Sequence, residues 1–259
     1  MRENKLRKKL SNGEIVVGTA IDFKEPNIVE IIGYAGFDFV MIDMEHQARD
    51  LENLENMVRA AEFVDITPII RIPEINEADA LRALDMGGMG VVISHVRTKE
   101  DAVRAVSVVK YPPKGMRAIH SYTRATRYGS IPFAQHIKTA NEQTHVWVII
   151  EDAEGVKNID EIVTVEGLDV VFPGPGDLSL DLGLPGEYNH PLFQDHLNKV
   201  IDATKKVKGL NLAQFITDPA QAKECFKKGC NILVFSYDSF LFTNLYKSYL
   251  IKIRDFLKE

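Results

Sequence analysis

The chain has 259 residues, with 31 Lys and Arg against 37 Asp and Glu, a formal net charge of −6. This balance excludes a broadly basic nucleic-acid-binding surface. The shares of 45% hydrophobic and 26% charged residues exclude disordered, collagen-like and disulfide-scaffold classes. A length near 250 residues suits a single α/β barrel that takes up residues 1–259.

The first segment, MRENKLRKKL, is charged but lacks the apolar core of a secretory signal. No apolar run reaches the roughly 18 residues that span a bilayer. We therefore expect a cytoplasmic protein with no membrane attachment, and a solvated helix face for these basic residues. Cys225 and Cys230 have the spacing C-x4-C, which lacks the second half of a zinc motif, so we expect reduced thiols.

Short apolar runs alternate with amphipathic stretches along the chain. The runs are rich in Val, Ile and Phe with little alternation, as is typical of parallel strands buried on both faces. The predicted strands are Ile15–Ile21, Phe39–Asp43, Thr67–Arg71, Val91–His95, Val146–Glu151, Leu168–Phe172, Leu212–Thr217 and Ile232–Tyr237.

The stretches between these strands have helical periodicity. One predicted helix follows the capping residue Asp50, a second ends at Gly87-Gly88, and a third begins at Asp218-Pro219. Because Gly87, Gly88 and Gly90 precede a strand, they indicate a helix stop and turn, and they form no dinucleotide-binding loop. Eight strand–helix units predict a (βα)8 TIM barrel, with a doubly wound open sheet as the rival fold.

Two segments exceed the barrel pattern. Residues 111–130 form a long connection with Pro and Gly that contains Arg117, Arg124 and Arg127, and connections of this length are often functional. The tail from Phe240 to Glu259 is strongly apolar for a terminal helix. We expect it to pack either on its own barrel or on another subunit.

The residues at the carboxyl ends of the strands are the candidates for chemistry, because barrel active sites form there. Glu151 and Asp177 end strand five and follow strand six. Two carboxylates from neighbouring strands can hold a hard divalent cation, Mg²⁺ or Mn²⁺, together with substrate oxygens. Each of the two could instead be a helix cap.

Three further candidates follow strands two, three and six. His46 can act as an acid or base near neutral pH, with Asp43 or Glu45 to orient it. Arg71 offers a planar donor fork to a carboxylate or enolate oxygen, or forms a salt bridge at the barrel rim. The Gly174-Pro175-Gly176 turn allows backbone N–H groups to approach an anion, or is simply a tight turn.

These residues belong to runs that resemble the HpcH/HpaI family of class II, metal-dependent aldolases, which act on pyruvate and related 2-oxo acids. The resemblance covers nearly the whole chain in order. The runs that carry it are Phe37–His46, Pro68–Arg71, Tyr111–Arg117, Ile150-Glu151 and Gly174–Ser179.

The resemblance implies a (βα)8 barrel whose last helix is exchanged between paired subunits, in a homo-oligomer ranging from a dimer to a hexamer. By position, Glu151 and Asp177 match the family's metal ligands. The backbone at Gly176 and Asp177 matches its cradle for the substrate carboxylate.

The resemblance also implies the catalytic roles. His46 with Asp43 matches the acid–base pair of the family, and Arg71 matches its substrate-binding arginine. In an aldolase of this family, pyruvate forms an enolate that attacks an aldehyde.

The sequence departs from the family aldolases at three places. Ile149 stands where they carry Gln, the 118–129 loop differs around His120 and Arg124, and strand seven carries the polar Gln214. The chain most resembles a branch of citrate synthases of siderophore (staphyloferrin B) biosynthesis. Gln214 and Arg124 are the residues that we expect to bind the second carboxylate of oxaloacetate.

The function implied by this branch is the condensation of oxaloacetate with acetyl-CoA to give citrate. The alternative is a 2-oxo acid aldolase that cleaves 4-hydroxy-2-oxo acids. A third hypothesis, a non-catalytic metabolite sensor, needs no acid–base histidine beside two metal-binding carboxylates. In each case the partners are small molecules and further copies of the chain, with no nucleic acid.

Overall fold

Eight parallel strands close into one barrel in the order β1 to β8. The computed structural model describes residues 1–47 and 50–258. The strands are β1 Val16–Ile21, β2 Phe39–Asp43, β3 Thr67–Ile72, β4 Gly90–Ile93, β5 His145–Ile150, β6 Val170–Pro173, β7 Asn211–Ile216 and β8 Ile232–Tyr237. Each predicted strand is confirmed, with ends that differ by no more than two residues.

The helices alternate with the strands and surround the barrel. They are α1 Lys5–Ser11, α2 Pro26–Tyr34, α3 Leu51–Phe63, α4 Glu77–Asp85, α5 Lys99–Val109, α6 Phe133–Gln143, α7 Ala153–Lys157, α8 Ile159–Ile162, α9 Pro175–Asp181, α10 Pro191–Lys205, α11 Ala222–Lys227 and α12 Asp238–Phe256, with a 3₁₀ turn at Pro219–Gln221. Closure through hydrogen bonds between β1 and β8 excludes the open sheet.

The helix boundaries confirm the local signals in the sequence. The Asp50 side chain accepts a hydrogen bond from Asn53 N at 2.7 Å and caps α3. Gly87 follows α4 with φ of +106°, a conformation that residues with a side chain rarely adopt. Asp218 and Gln221 cap each other's backbone at the start of the 3₁₀ turn.

Successive residues of each strand face opposite sides of the sheet. One set forms the barrel interior, which includes Met41, Trp147 and Phe172. The other set packs against the helices and includes Leu212 and Ile216 of β7. Strand residues two apart therefore share a face, and this decides which β7 side chains point into the barrel.

Helix α1 closes the amino end of the barrel. Its Leu6 and Leu10 are buried and belong to the interior cluster, whereas Lys8 on its other side is exposed. Lys5 and Lys8 thus lie on a solvated face, as predicted, whereas Arg2 and Arg7 are partly buried and Arg7 pairs with Asp169. The buried leucines were not expected, and they leave the carboxyl end as the open end of the barrel.

Helix α12 leaves the barrel at the end of β8. Asp238 is its buried residue, and Phe23 contacts Phe242 with ring centroids 5.7 Å apart. After Phe242 the apolar side chains of α12 are largely exposed, namely Leu245, Tyr246, Tyr249, Leu250, Ile251, Ile253 and Phe256. Packing on its own barrel is therefore not the arrangement in the structure. Glu259, the end of the predicted tail, lies outside the described residues.

Within the described part of the chain, no helix is both long and apolar enough to cross a membrane.

Candidate active site

A cavity of about 440 Å³ opens at the carboxyl end of the barrel. Residues from several strand ends line it, including Arg71 near the end of β3, Glu151 directly after β5 and Tyr237 at the end of β8. The deeper wall is apolar and is formed by Met41, Ile149 and Phe172. Its polar rim and apolar floor are typical of a small-molecule site.

Arg71 lies at the centre of a buried polar network. It forms an ion pair with Glu45, and its Nη1 lies 3.6 Å from Asp43 Oδ2. Its Nε donates to Ser94 Oγ at 3.2 Å, and its Nη1 donates to Tyr237 Oη at 3.2 Å. These contacts fix the plane of the guanidinium at the edge of the cavity.

The electrostatics of this network keep Arg71 cationic. Burial alone would lower the pKa of Arg71, but Tyr237, Asp43 and Glu45 outweigh burial and raise it. Burial also raises the pKa of Tyr237 to about 12, so the phenol keeps its proton. Asp43 Oδ2 is buried without a hydrogen-bond partner. The network thus places the Arg71 cation beside a carboxylate oxygen, Asp43 Oδ2, that lacks a hydrogen-bond donor.

Glu151 is a buried carboxylate with one oxygen engaged and the other facing a turn. Its Oε1 accepts from His95 N at 2.7 Å and lies 2.9 Å from His95 Nδ1. Burial raises the pKa of Glu151, although the contacts with His95 partly oppose it. A Cβ on Gly174 would stand 2.7 Å from Oε2, so glycine at this position lets the β6–α9 turn lie directly against that oxygen.

Gly176 and Asp177 lie in the first turn of α9, directly after the β6–α9 connection, and both line the cavity. Gly176 is exposed, and nothing lies within 4 Å of the place where its Cβ would stand. The backbone of the turn is therefore open to a ligand. Asp177 thus lines the same cavity as Glu151.

The donors present fit a divalent cation held jointly with substrate. In the described residues, no group of three or more His, Cys, Asp or Glu side chains is arranged to hold a metal by itself. Glu151 Oε2 lies against Gly174, three residues before Asp177, and both carboxylate residues line the cavity. One or two carboxylates with substrate oxygens is the usual donor set for Mg²⁺.

Of the two carboxylates expected to orient His46, Glu45 lies beside its ring, whereas Asp43 contacts only its backbone. Asp43 Oδ1 accepts from the backbone N–H groups of Glu45 at 2.8 Å and His46 at 3.3 Å. The His46 ring is more than half exposed, lines the cavity and lies with Nε2 3.6 Å from Glu45 Oε2. Asp43 therefore shapes the turn that carries His46, and Glu45 is the carboxylate nearest the ring.

Gln214 lines the cavity, but from the outer face of β7. It has the same parity as Leu212 and Ile216, which belong to the cluster between sheet and helices. The hydrogen-bonded register between β6 and β7 ends at Val171–Leu212, and the cavity continues there behind β7. The expectation that Gln214 projects toward the Arg71 end is therefore wrong.

Arg124 lies at the opposite end of the barrel. It forms an ion pair with Glu62 and donates from Nη1 to Met86 O at 3.2 Å. Met86 precedes β4, which places Arg124 at the amino end. The prediction that Arg124 binds the second carboxylate is wrong within one chain, and the alternative, pairing with a carboxylate, is what the structure shows.

The sequence interpretation missed three polar residues of the site. Ser94 donates to Glu45 Oε2 at 2.9 Å, His95 bridges Glu45 and Glu151, and Tyr237 contacts Arg71. His95 Nε2 lies 3.3 Å from Glu45 Oε1. The signal was available, because these residues stand at the carboxyl ends of strands four and eight.

Known proteins match this chain in both sequence and fold. The family model described as HpcH/HpaI aldolase/citrate lyase matches residues 21–244. A hydroxypyruvate/pyruvate aldolase of Roseobacter denitrificans is 33% identical over 248 residues, which are 95% of each chain. The crystal structure of citrate synthase SbnG superposes with a TM-score of 0.90 at 29% identity, covering 98% of this chain and 99% of the other.

A second solved structure also matches over nearly its whole length. It is a HpcH/HpaI aldolase/citrate lyase family protein from Burkholderia cenocepacia J2315, with a TM-score of 0.91 at 28% identity, and the match covers 97% of this chain and 99% of that one. The likeness thus extends over whole chains, on both the aldolase and the citrate synthase side.

Proposed function

Because the chain belongs to the HpcH/HpaI aldolase/citrate lyase family, whose enzymes form or cleave carbon–carbon bonds, we propose that it condenses oxaloacetate with acetyl-CoA to give citrate. The proposed reaction depends on a divalent metal, Mg²⁺ or Mn²⁺, as the resemblance to class II aldolases implies. The observation that carries the chemistry is the buried Glu151 beside the Gly174–Asp177 turn, next to an arginine whose orientation is fixed.

A bound divalent cation, held by Glu151 and Asp177, would act as a Lewis acid toward the keto group of the 2-oxo acid. Arg71 adds a fixed guanidinium at the same edge of the cavity. Its contacts with Glu45, Ser94 and Tyr237 are made before substrate arrives. Donors oriented in advance stabilise the charge that develops on the keto oxygen at little reorganisation cost.

His46 is the proposed acid–base residue. Its ring is accessible from the cavity, and Glu45 lies beside it. It takes a proton from the methyl group of acetyl-CoA, and the resulting carbanion attacks the keto carbon of oxaloacetate. The keto oxygen becomes an alkoxide, which Arg71 faces and which takes up a proton. Water then hydrolyses the thioester, releasing citrate and CoA.

The end-to-end match with citrate synthase SbnG supports citrate formation, and siderophore biosynthesis of the staphyloferrin B type is the setting proposed with it. Ile149, two residues before Glu151, also supports citrate formation over aldol cleavage, because the family aldolases carry Gln at this position. The alternative, a 2-oxo acid aldolase, is favoured by relatives of 30–34% identity whose names denote aldolases.

Product analysis separates the two activities. The purified protein is mixed with Mg²⁺, oxaloacetate and acetyl-CoA, and separately with a 4-hydroxy-2-oxo acid. Citrate and free CoA in equal amounts are expected from the first mixture. Aldehyde and pyruvate from the second, with no citrate from the first, would replace the proposal by the aldolase.

We also propose that α12 packs on a neighbouring subunit in a homo-oligomer. Its exposed side chains, among them Tyr246, Tyr249, Leu250 and Phe256, form more apolar surface than a helix facing water carries. Light scattering of the intact chain at micromolar concentration should give a dimer or larger. A chain ending before Phe240 should aggregate or become monomeric. A monomeric intact chain would contradict the proposal.

A further inference from the structure

Two thiols meet at the end of α11, behind strand β7. Cys225 lies in the last turn of α11, and Cys230 directly precedes β8. They are free in the structure, with Cys225 partly exposed and Cys230 buried. Both line the part of the cavity that continues behind β7, and the proposed reaction uses neither of them.

The backbone explains why the spacing C-x4-C brings them together. Gly229 has φ of +93°, its N–H donates to Phe226 O at 2.9 Å, and Cys230 N donates to Cys225 O at 3.0 Å. These two bonds and the left-handed glycine are those of a Schellman motif, which brings the side chains at the C3 and C″ positions into contact. Cys225 and Cys230 occupy those two positions.

The contact is a hydrogen bond between the two thiols. It lowers the pKa of Cys225, although burial of Cys225 opposes the shift. The same hydrogen bond, followed by burial, raises the pKa of Cys230. Lys228 favours the thiolate, but Glu224, which pairs with Lys228 at 3.0 Å, opposes it at Cys225. The more exposed sulfur therefore loses its proton first, and the buried one is the donor.

We propose that Cys225 and Cys230 form a redox-modification site that a peroxide converts to an intramolecular disulfide. The Cys225 thiolate attacks one peroxide oxygen, which gives a sulfenic acid and, after uptake of a proton, water. The Cys230 sulfur then displaces the sulfenic oxygen as a second water and forms the S–S bond. In total, two thiols lose two electrons and two protons, and one hydrogen peroxide becomes two waters.

The chain suits a test by intact mass, because it contains two cysteines in all. The purified protein is treated with a small excess of hydrogen peroxide and then with N-ethylmaleimide. The expected product is a monomeric polypeptide, on a non-reducing gel, that has lost two hydrogens and takes up no maleimide. Dithiothreitol should restore two reactive thiols.

The single-cysteine variants identify the attacking sulfur. Cys230→Ser keeps the more exposed thiol, and Cys225→Ser keeps the buried one. Cys230→Ser should form a sulfenic acid, trapped with dimedone, roughly tenfold faster than Cys225→Ser, because reactivity follows thiolate character and exposure. Two maleimide-reactive thiols after peroxide treatment of the parent, a sulfinic acid there, or disulfide-linked dimers would each overturn the proposal.

Discussion

Both ends of the barrel place carboxylates in or near the interior, but the number of hydrogen-bond donors around these carboxylates differs between the two ends. At the amino end, Asp169 is surrounded by donors: Arg7 Nη2 lies 2.5 Å from Oδ1, Val146 N donates to Oδ2 at 2.9 Å, and Lys110 Nζ lies 3.9 Å away. At the carboxyl end, Glu151 relies on His95 alone among its described hydrogen bonds.

The pKa shifts record this difference. Burial would raise the pKa of Asp169, but its neighbours outweigh burial and lower it. For Glu151 burial prevails and raises the pKa. One carboxylate is thus satisfied by the protein, whereas the other lacks sufficient compensation. A cation with substrate would supply what Glu151 lacks, so incomplete compensation marks the functional end of the barrel.

The largest expected effect is on turnover at the carboxyl end. Glu151→Gln removes one of two proposed metal-binding carboxylates, so kcat should fall by at least about 10³-fold, with Asp177→Asn similar. Steady-state kinetics with Mg²⁺ measure this, and circular dichroism checks the fold. The matched control at the amino end is Asp169→Asn, which should retain most of its kcat while it is folded. Equal losses of kcat in the two variants would contradict the assignment of the active site to the carboxyl end.

Two arginines offer the next comparison, one at each end. Arg71→Lys keeps the charge but loses the planar fork, so kcat should fall by about 10²-fold. Arg124→Lys should leave kcat within about twofold, because Arg124 pairs with Glu62 at the amino end. Kinetics of the two variants at saturating substrate test this. A larger loss in Arg124→Lys would show that its loop reaches an active site after all.

The pH dependence of stability should have opposite signs at the two ends. Asp169 has a lowered pKa in the folded state, so its contribution is present above the unfolded value near 4 and is lost as pH falls. Glu151 has a raised pKa, so its contribution is present below the unfolded value near 4.5 and is lost as pH rises through the folded pKa.

Thermal unfolding of the two variants in EDTA measures these signs. At pH 7, Asp169→Asn should destabilise by about 2 kcal/mol, whereas Glu151→Gln should raise Tm slightly, because it removes an incompletely compensated buried charge. Both differences should shrink as pH falls below 4. A stabilised Asp169→Asn or a strongly destabilised Glu151→Gln at pH 7 would reverse the assignment of the two ends.

The smallest effect is expected at Gln214. It lies on the outer face of β7, so Gln214→Ala should change the Kd of oxaloacetate by less than about twofold. Calorimetric titration of oxaloacetate in the presence of Mg²⁺ measures this, with pyruvate as the comparison. Selective loss of oxaloacetate binding would return Gln214 to the substrate site.

The sequence was sufficient for the strands because each is a separate apolar run. It could not decide between a closed barrel and an open sheet, since the pairing of β1 with β8 joins residues more than 200 positions apart. Nor could it show that Leu6 and Leu10 fill the amino end. That contact depends on how far the barrel interior extends, which no local pattern contains.

The site was predictable where a residue ends a strand and uncertain elsewhere. Arg71 and Glu151 lie at the carboxyl ends of their strands, as predicted. Tyr237 ends β8, so a search for polar residues at strand ends would also have found it. The prediction for Gln214 was wrong because side chains alternate between the two faces of a strand, so a shift of one residue along β7 decides whether a side chain points into the barrel. Arg124 failed because it belongs to a long connection that follows no strand, so its position depends on tertiary contacts with Glu62 and Met86.

The central claim is that Glu151, and not Asp169 at the amino end, holds the metal. Titration of Mn²⁺ in the presence of oxaloacetate, followed by electron paramagnetic resonance of the free ion, tests it directly. The parent and Asp169→Asn should each bind one Mn²⁺ per chain, and Glu151→Gln should bind at least about tenfold more weakly. Undiminished Mn²⁺ binding by Glu151→Gln would contradict the account.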